Sequence, residues 1–141
     1  MNNKYVFSEE CERVFADYIG NLFSESVKEG YDSERFVQAF LTEDMLIRML
    51  RSEFTHYYTF SLAYTIYHLT EMFNIPKGKT YDSYVMWMYG YMLKWWAYRY
   101  PEDNFSKFTL SHFNDVFVYY HTLGWDALVD EAHSFVSTGY L

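Results

Sequence analysis

The residues of this chain best able to do chemistry are five histidines, one cysteine and the lysines of a short loop, and spacing restricts each in turn. His68 lies three residues before Glu71, and Asp130 three before His133, so each pair could share a helical face. A di-iron bundle needs two Glu-x-x-His pairs with further glutamates, and this chain does not supply two. His56, His112 and His121 stand apart, so no metal or cofactor is expected. Cys11 is the only cysteine, which excludes an intrachain disulfide and a thiolate zinc site. A helix start could stabilise its thiolate, but its place on the periodic apolar face predicts a small core residue. The loop Pro76–Lys79 has too little glycine for a phosphate cradle and no strand before it, and no Gly-x-Ser-x-Gly elbow occurs. No pair of carboxylates is singled out for acid–base work. The expectation is a protein without catalytic residues.

Two clusters have more character. Tyr119, Tyr120 and His121 end one helical segment and Trp125 opens the next, across Gly124. His121 at a helix C-terminus is favoured when protonated. The group reads equally as a ligand or peptide contact and as a capped corner. The second cluster is residues 81–100, with three of the four tryptophans and six tyrosines. Helical geometry places Trp87, Gly90, Tyr91, Lys94, Trp95 and Tyr98 along one side, and Met88, Met92, Trp96 and Arg99 toward another. Both sides are large and apolar, so this helix should be central and enclosed. A mid-helix glycine costs ~1 kcal/mol against alanine, so Gly90 should admit a close neighbour, a backbone or a bulky ring. A cleft for a flat ligand, with Lys94 or Arg99 as a cation contact, is the functional counterpart.

The elements that must position these residues are helical. Ser8 caps a first helix bearing Val14, Phe15, Tyr18, Ile19, Leu22 and Phe23, closed by Gly30. Asp32 or Ser33 starts a second with Phe36, Val37, Phe40 and Leu41, and Thr42 re-caps a third with Met45, Leu46, Met49 and Leu50. Thr55 or Thr59 opens a fourth, burying Phe60, Ala63, Ile66, Tyr67 and Met72. The run 74–79 (NIPKGK) breaks the chain, Asp82 or Ser83 caps the aromatic helix, and Pro101 bounds its end. Short helices follow from Asp103 or Asn104 and from Ser111, with a last one over 125–136. Residues 116–120 (VFVYY) are the nearest approach to a strand. The predicted fold is all-α: one domain over residues 1–141, a compact bundle of six to seven helices around the aromatic helix.

Half the residues are apolar and 23% aromatic, enough for a sizeable core in 141 residues. The formal charge of −8 is uneven: residues 1–53 and 101–141 are each −5, and residues 54–100 are +2. So acidic a surface argues against direct nucleic-acid binding, which needs lysine and arginine to displace counterions. It suits a basic partner, or solubility alone. The longest uncharged run, residues 54–70, is short of a membrane span, and the start lacks the apolar stretch of a signal peptide. A cytoplasmic protein without membrane contact is expected.

Four pieces carry a family likeness: RFVQAFLTEDMLIRML, SLAYTIYHL, SYVMWMYGYMLKWWAYRYPEDNFSKF and VFVYYHTLGWDALVDEA. Their order over about residues 33–133 resembles a family of small all-helical proteins of Gram-positive gut bacteria. Gly90, Phe105, Tyr119 or Tyr120, and His121 match its pattern. Ala97 stands where the family carries a glutamine, and Thr122–Trp125 replaces its acidic turn. Members are encoded beside small partners, among them toxins of the ADP-ribosyltransferase type. The resemblance therefore implies a toxin-neutralising or accessory binding role.

Together these readings predict a protein-binding module, antitoxin-like or accessory in a bacterial or phage conflict system, that occludes a basic protein partner. The expected contact residues are Trp95, Tyr98, Tyr119, Tyr120, His121 and Trp125. Surplus aromatic surface also allows a homodimer. The alternatives are an acidic, DNA-mimicking inhibitor of a nucleic-acid enzyme (anti-CRISPR-like) and a small-molecule binder or enzyme. The last needs a polar pocket around His121 or His68.

Overall fold

A computed structural model describes residues 7–138. Eight α-helices appear among them: α1 (Glu9–Lys28), α2 (Ser33–Thr42), α3 (Asp44–Leu50), α4 (Leu62–Met72), α5 (Ser83–Arg99), α6 (Leu110–Asp115), α7 (Phe117–Tyr120) and α8 (Trp125–Thr138). Short 3₁₀ turns cover His56–Thr59 and Phe105–Lys107. The described residues contain no strand, only an isolated antiparallel bridge between Tyr31 and Lys77. The predicted all-α class holds, with more and shorter segments than expected.

Helix starts follow side chains that accept first-turn N–H groups. Ser8 accepts from Cys11, Asp32 from Arg35, Ser61 from Tyr64, Asp82 from Tyr84 and Val85, and Thr109 from His112. Three helices end in the same paired-carbonyl cap, with the next residue left-handed: Gly30 (φ 82°), Ser52 (φ 61°) and Asn74 (φ 55°). Glycine and asparagine are usual there and serine is not, so Ser52 calls for a reason given below.

Three expectations need correction. Thr42 does not cap α3; it ends α2, its hydroxyl donating to the Gln38 carbonyl, and Glu43 stands at the α3 start without a side-chain cap. (Residues 117–120 are helical, in line with the all-α reading: with no neighbouring strand to pair, their propensity has nothing to act on, and Tyr120 stacks on Phe113.) Cys11 is exposed. In α4 the inward residues are Thr65, Ile66, Leu69 and Thr70, while Ala63, Tyr67 and Met72 face out. The inward threonines are satisfied: Thr70 donates to the Ile66 carbonyl (2.7 Å) and Thr65 shares a hydrogen bond with the Tyr18 hydroxyl (2.7 Å).

The buried side chains form one cluster, and α5 runs through it. Twelve of its seventeen residues are buried, and it packs against α1, α3, α6 and α8. A helix that is apolar all round has to be surrounded. The closest neighbour is α1, antiparallel to it, as successive pairings show: Asn21 with Trp87, Phe23 and Ile19 with Gly90, Glu12 with Lys94. A Cβ at Gly90 would lie 2.7 Å from the Phe23 ring and 2.9 Å from the Ile19 carbonyl oxygen. One at Gly20 would lie 2.9 Å from the Trp87 indole nitrogen. Each helix thus yields its side chain where the other presses closest, as expected for Gly90. By the same logic of paired contacts α8 runs parallel to α5: Tyr91 meets Trp125, Trp95 meets Asp126, and Tyr100 meets Asp130 and His133.

Candidate functional site

Seen from outside, α5 is bounded by α1 on one side and α8 on the other, and its outer edge carries aromatic residues at 84, 87, 91, 95 and 98. Steps of three and four keep these five on one helical face. Tyr84 is exposed and stacks parallel to Trp87 (6.3 Å between centroids). Trp87 touches Tyr91 (5.5 Å) and Trp125 of α8 (5.9 Å), and Tyr91 and Trp125 stack at 4.1 Å. Trp95 follows, with Tyr98 leaning on it at 5.0 Å. At the other end Phe117 of α7 meets Tyr84 edge-on (5.7 Å) and carries His121 stacked on it (5.3 Å). The result is an aromatic ladder on one face of α5 in two runs of touching rings, Phe117 to Trp125 by way of Tyr84, Trp87 and Tyr91, and Trp95 with Tyr98.

Polar groups fix its rungs. The Trp87 indole N–H donates to Asn21 of α1 (3.0 Å), and that of Trp95 donates to Asp126 of α8 (2.8 Å). Arg13 of α1 lies over the Trp95 ring, 4.6 Å from its centroid. Arg99 bridges Asp126 (2.9 Å) and Asp130 (3.3 Å), and Tyr100 donates to Asp130 (2.8 Å). The Asp126 carboxyl is held below the usual carboxylate range, first by the Trp95 N–H and then by Arg99. Below this, Asp103 accepts from the Trp96 indole (2.8 Å) and pairs with His133 (2.8 Å), whose ring stacks on Tyr100. His133 therefore belongs with Asp103, from the turn after α5, and not with Asp130.

The structure divides the six expected contact residues. Trp95 and Tyr120 are 2% and 6% exposed, so they lie in the core. Tyr120 packs against Phe108 and Phe113. Trp125 is half-buried within the ladder, while Tyr98, Tyr119 and His121 have open surface. The expected meeting of the α5 end with the Tyr119–Trp125 corner is half realised. Trp125 and Asp126 reach α5, whereas His121 joins through Phe117 and Tyr84, and Tyr119 packs on Tyr120. Tyr84 and Phe117 are additions that spacing from Trp87 would have supported for the first and nothing local for the second.

Lys94 is not a cation for a ligand. It is fully buried and paired with buried Glu12, whose carboxylate also accepts from Ser52 (3.1 Å). That hydroxyl accounts for the left-handed serine. Burial pushes the Lys94 ammonium down, opposed by Glu12. Neither His121 nor His68, one of which the expected polar pocket needs, pairs with a carboxylate among the described residues. His68 shares a hydrogen bond with Tyr57 and stacks on Tyr64, and His121 rests on Phe117. Among the described residues no group of three histidine, cysteine or acidic side chains is placed to hold a metal ion, and no helix is long and apolar enough to cross a membrane.

Comparison with protein-family models, with curated proteins and with solved structures finds no match to this chain.

Proposed function

We propose that the chain is a protein-binding module whose contact surface is the outer edge of the α5 ladder, and that it acts by occluding a basic protein partner. The carrying observation is that exposed Tyr84 and Tyr98 stand at the two ends of a ladder of rings already packed and hydrogen-bonded to α1 and α8. Rigid aromatics lose little entropy on binding and are favoured as interface anchors. Exposed Val118 and Tyr119 on α7 extend the surface, and exposed Asp126 and Asp130 lie along its α8 edge, paired there with Arg99. With a net charge of −8, the chain steers a cationic surface toward that edge. The family resemblance adds the biological colour, a toxin-neutralising or accessory role in a conflict system of the bacterial cytoplasm.

The test is affinity purification from the native host of the wild type, the Tyr84→Ala/Tyr98→Ala double variant and Tyr67→Ala as a control on another face. A stoichiometric basic protein should accompany the wild type and the control, and be lost from the double variant by at least about thirtyfold in affinity. Retention by the double variant would overturn the reading. So would a metabolite or metal co-purifying in place of any protein.

A further inference from the structure

Of the residues of α5 only Lys94 and Arg99 carry charge, and Arg99 stands at its end. Lys94 is 0% exposed and pairs with Glu12 of α1, 4% exposed. The same carboxylate oxygen accepts from Ser52, just beyond α3 (3.1 Å). The rest of α5 offers little to tell one face from another. Turning the helix by one residue, ~100°, would put Val85, Met88, Met92 and Trp96 where Tyr84, Trp87, Tyr91 and Trp95 now stand. The incoming side chains are as apolar as the outgoing ones, and apolar burial is non-directional. Gly90 does not settle the choice either, because a missing side chain permits a close approach to α1 without compelling it.

We infer that the Glu12–Lys94 pair selects one rotation and one register of α5 against α1, and that this choice sets which rings form the outer edge. A buried ion pair adds little net stability over apolar residues of the same volume, but either charge buried alone is heavily disfavoured. The pair therefore acts by penalising the other arrangements. Turned by one residue, Lys94 points away from Glu12, and both charges lose their partner. Slid one turn toward the α1 C-terminus, Lys94 comes opposite buried Ala16 and Glu12 opposite Tyr98. Slid the other way, Lys94 comes within reach of Glu9 in the first turn, but Glu12 then faces Gly90 with no base opposite. A stranded buried charge holds each alternative to about one part in a hundred or less. With both charges removed, that gap closes. A single polar residue in the apolar seam of a coiled coil fixes register by the same means. Glu12 and Lys94 are thus positioning residues for the ladder, whether or not the ladder binds a partner.

Nitrogen-15 NMR of the isolated full chain tests this, because its four tryptophans give four indole N–H signals. The wild type should show one sharp set. Trp95 and Trp96 should exchange slowly with water, since both rings are buried and donate to Asp126 and Asp103. The Glu12→Met/Lys94→Met variant should keep its helix content and nearly its urea midpoint, yet show broadened or multiple indole signals. Its Trp95 and Trp96 should exchange at least about tenfold faster. Leu22→Met/Leu93→Met is the control: it puts two flexible side chains at fully buried positions of the same helices with the pair intact. It should show one set, like the wild type. A single protected set in Glu12→Met/Lys94→Met would overturn the inference. So would multiple sets in the leucine control, which would trace the effect to loosened packing. A Glu12→Met/Lys94→Met chain that does not fold would overturn it too, because the pair would then supply stability and not selection. Partner binding enters none of these readings, so neither failure bears on the proposed function.

Discussion

The two flanks of α5 are built on opposite principles. Toward α1 the contact is dry and close, with backbone against backbone at Gly90, an indole laid over Gly20 and a single buried ion pair. Toward α8 it is held by exposed or half-exposed polar links: Trp95 to Asp126, Arg99 to two aspartates, Tyr100 to Asp130. The first flank leaves no room at Gly90, where a Cβ would meet a backbone oxygen and a buried ring, and more at Gly20, where the half-exposed Trp87 indole is the neighbour. The second tolerates change, because water can replace what a substitution removes. A surface meant to meet partners is better placed on the second.

The largest expected effect sets alkali against the buried and hydrogen-bonded phenols of the core. Burial raises the titration of Tyr58 and Tyr89, and the hydrogen bond to Glu34 is the main cause that pushes Tyr81 up to about 12. Each folded phenol therefore titrates above its unfolded value of ~10, so its contribution to stability is complete below pH ~10 and is lost as pH climbs toward 12. Cooperative loss of helix signal should coincide with tyrosinate absorbance in that window. Tyrosinate formed on an intact fold would show that these phenols are not sealed.

Next comes the ion pair. Glu12→Gln leaves the Lys94 ammonium buried without its counter-charge and should cost about 3–5 kcal/mol in urea denaturation. Replacing both residues by methionine should recover most of that. A double variant as unstable as the single one would mean that the pair is not the origin of the loss.

The two glycines sharpen the comparison within the α1 flank. Gly90→Ala drives a methyl into a backbone oxygen and the buried Phe23 ring. It should cost about 1–3 kcal/mol, reduced by the ~1 kcal/mol that alanine gains in helix propensity. Gly20→Ala meets only the half-exposed Trp87 indole, which can swing outward. Its stability should stay within about 1 kcal/mol of wild type, since propensity offsets the shift. Its tryptophan fluorescence should change as the Asn21 link opens. Equal costs at the two sites would contradict the close approach at Gly90.

The smallest effect belongs to the α8 flank. Asp126→Asn removes half of an exposed, screened ion pair with Arg99 but keeps an acceptor for the Trp95 N–H. It should cost below about 1 kcal/mol. A larger loss would make this flank as structural as the other.

Part of this was legible in the chain itself. Cap residues marked the starts of α1, α2 and α5, and unbroken apolarity marked α5 as central, because both signals act through neighbours within four residues. The face of α4 was misread, because threonine and tyrosine are both amphipathic and only the Tyr18 hydroxyl on α1 decides which turns inward. Of the ladder, the spacing of Trp87, Tyr91, Trp95 and Tyr98 was visible, but their standing was not. Trp95 lies buried beneath Arg13 and Asp126, and Tyr120 is core, while Tyr84 gained its place from Phe117, thirty-three residues away.

Sequence alone determined the helical class, the central helix, the need for space at Gly90 and the acidic balance, since these follow from local geometry and from counting. Tertiary structure decided which aromatics are surface and which are core, and that Lys94 is spent on Glu12 instead of a ligand. It also left α4 bare. Burial and pairing depend on which distant residue arrives opposite, and no local pattern carries that information.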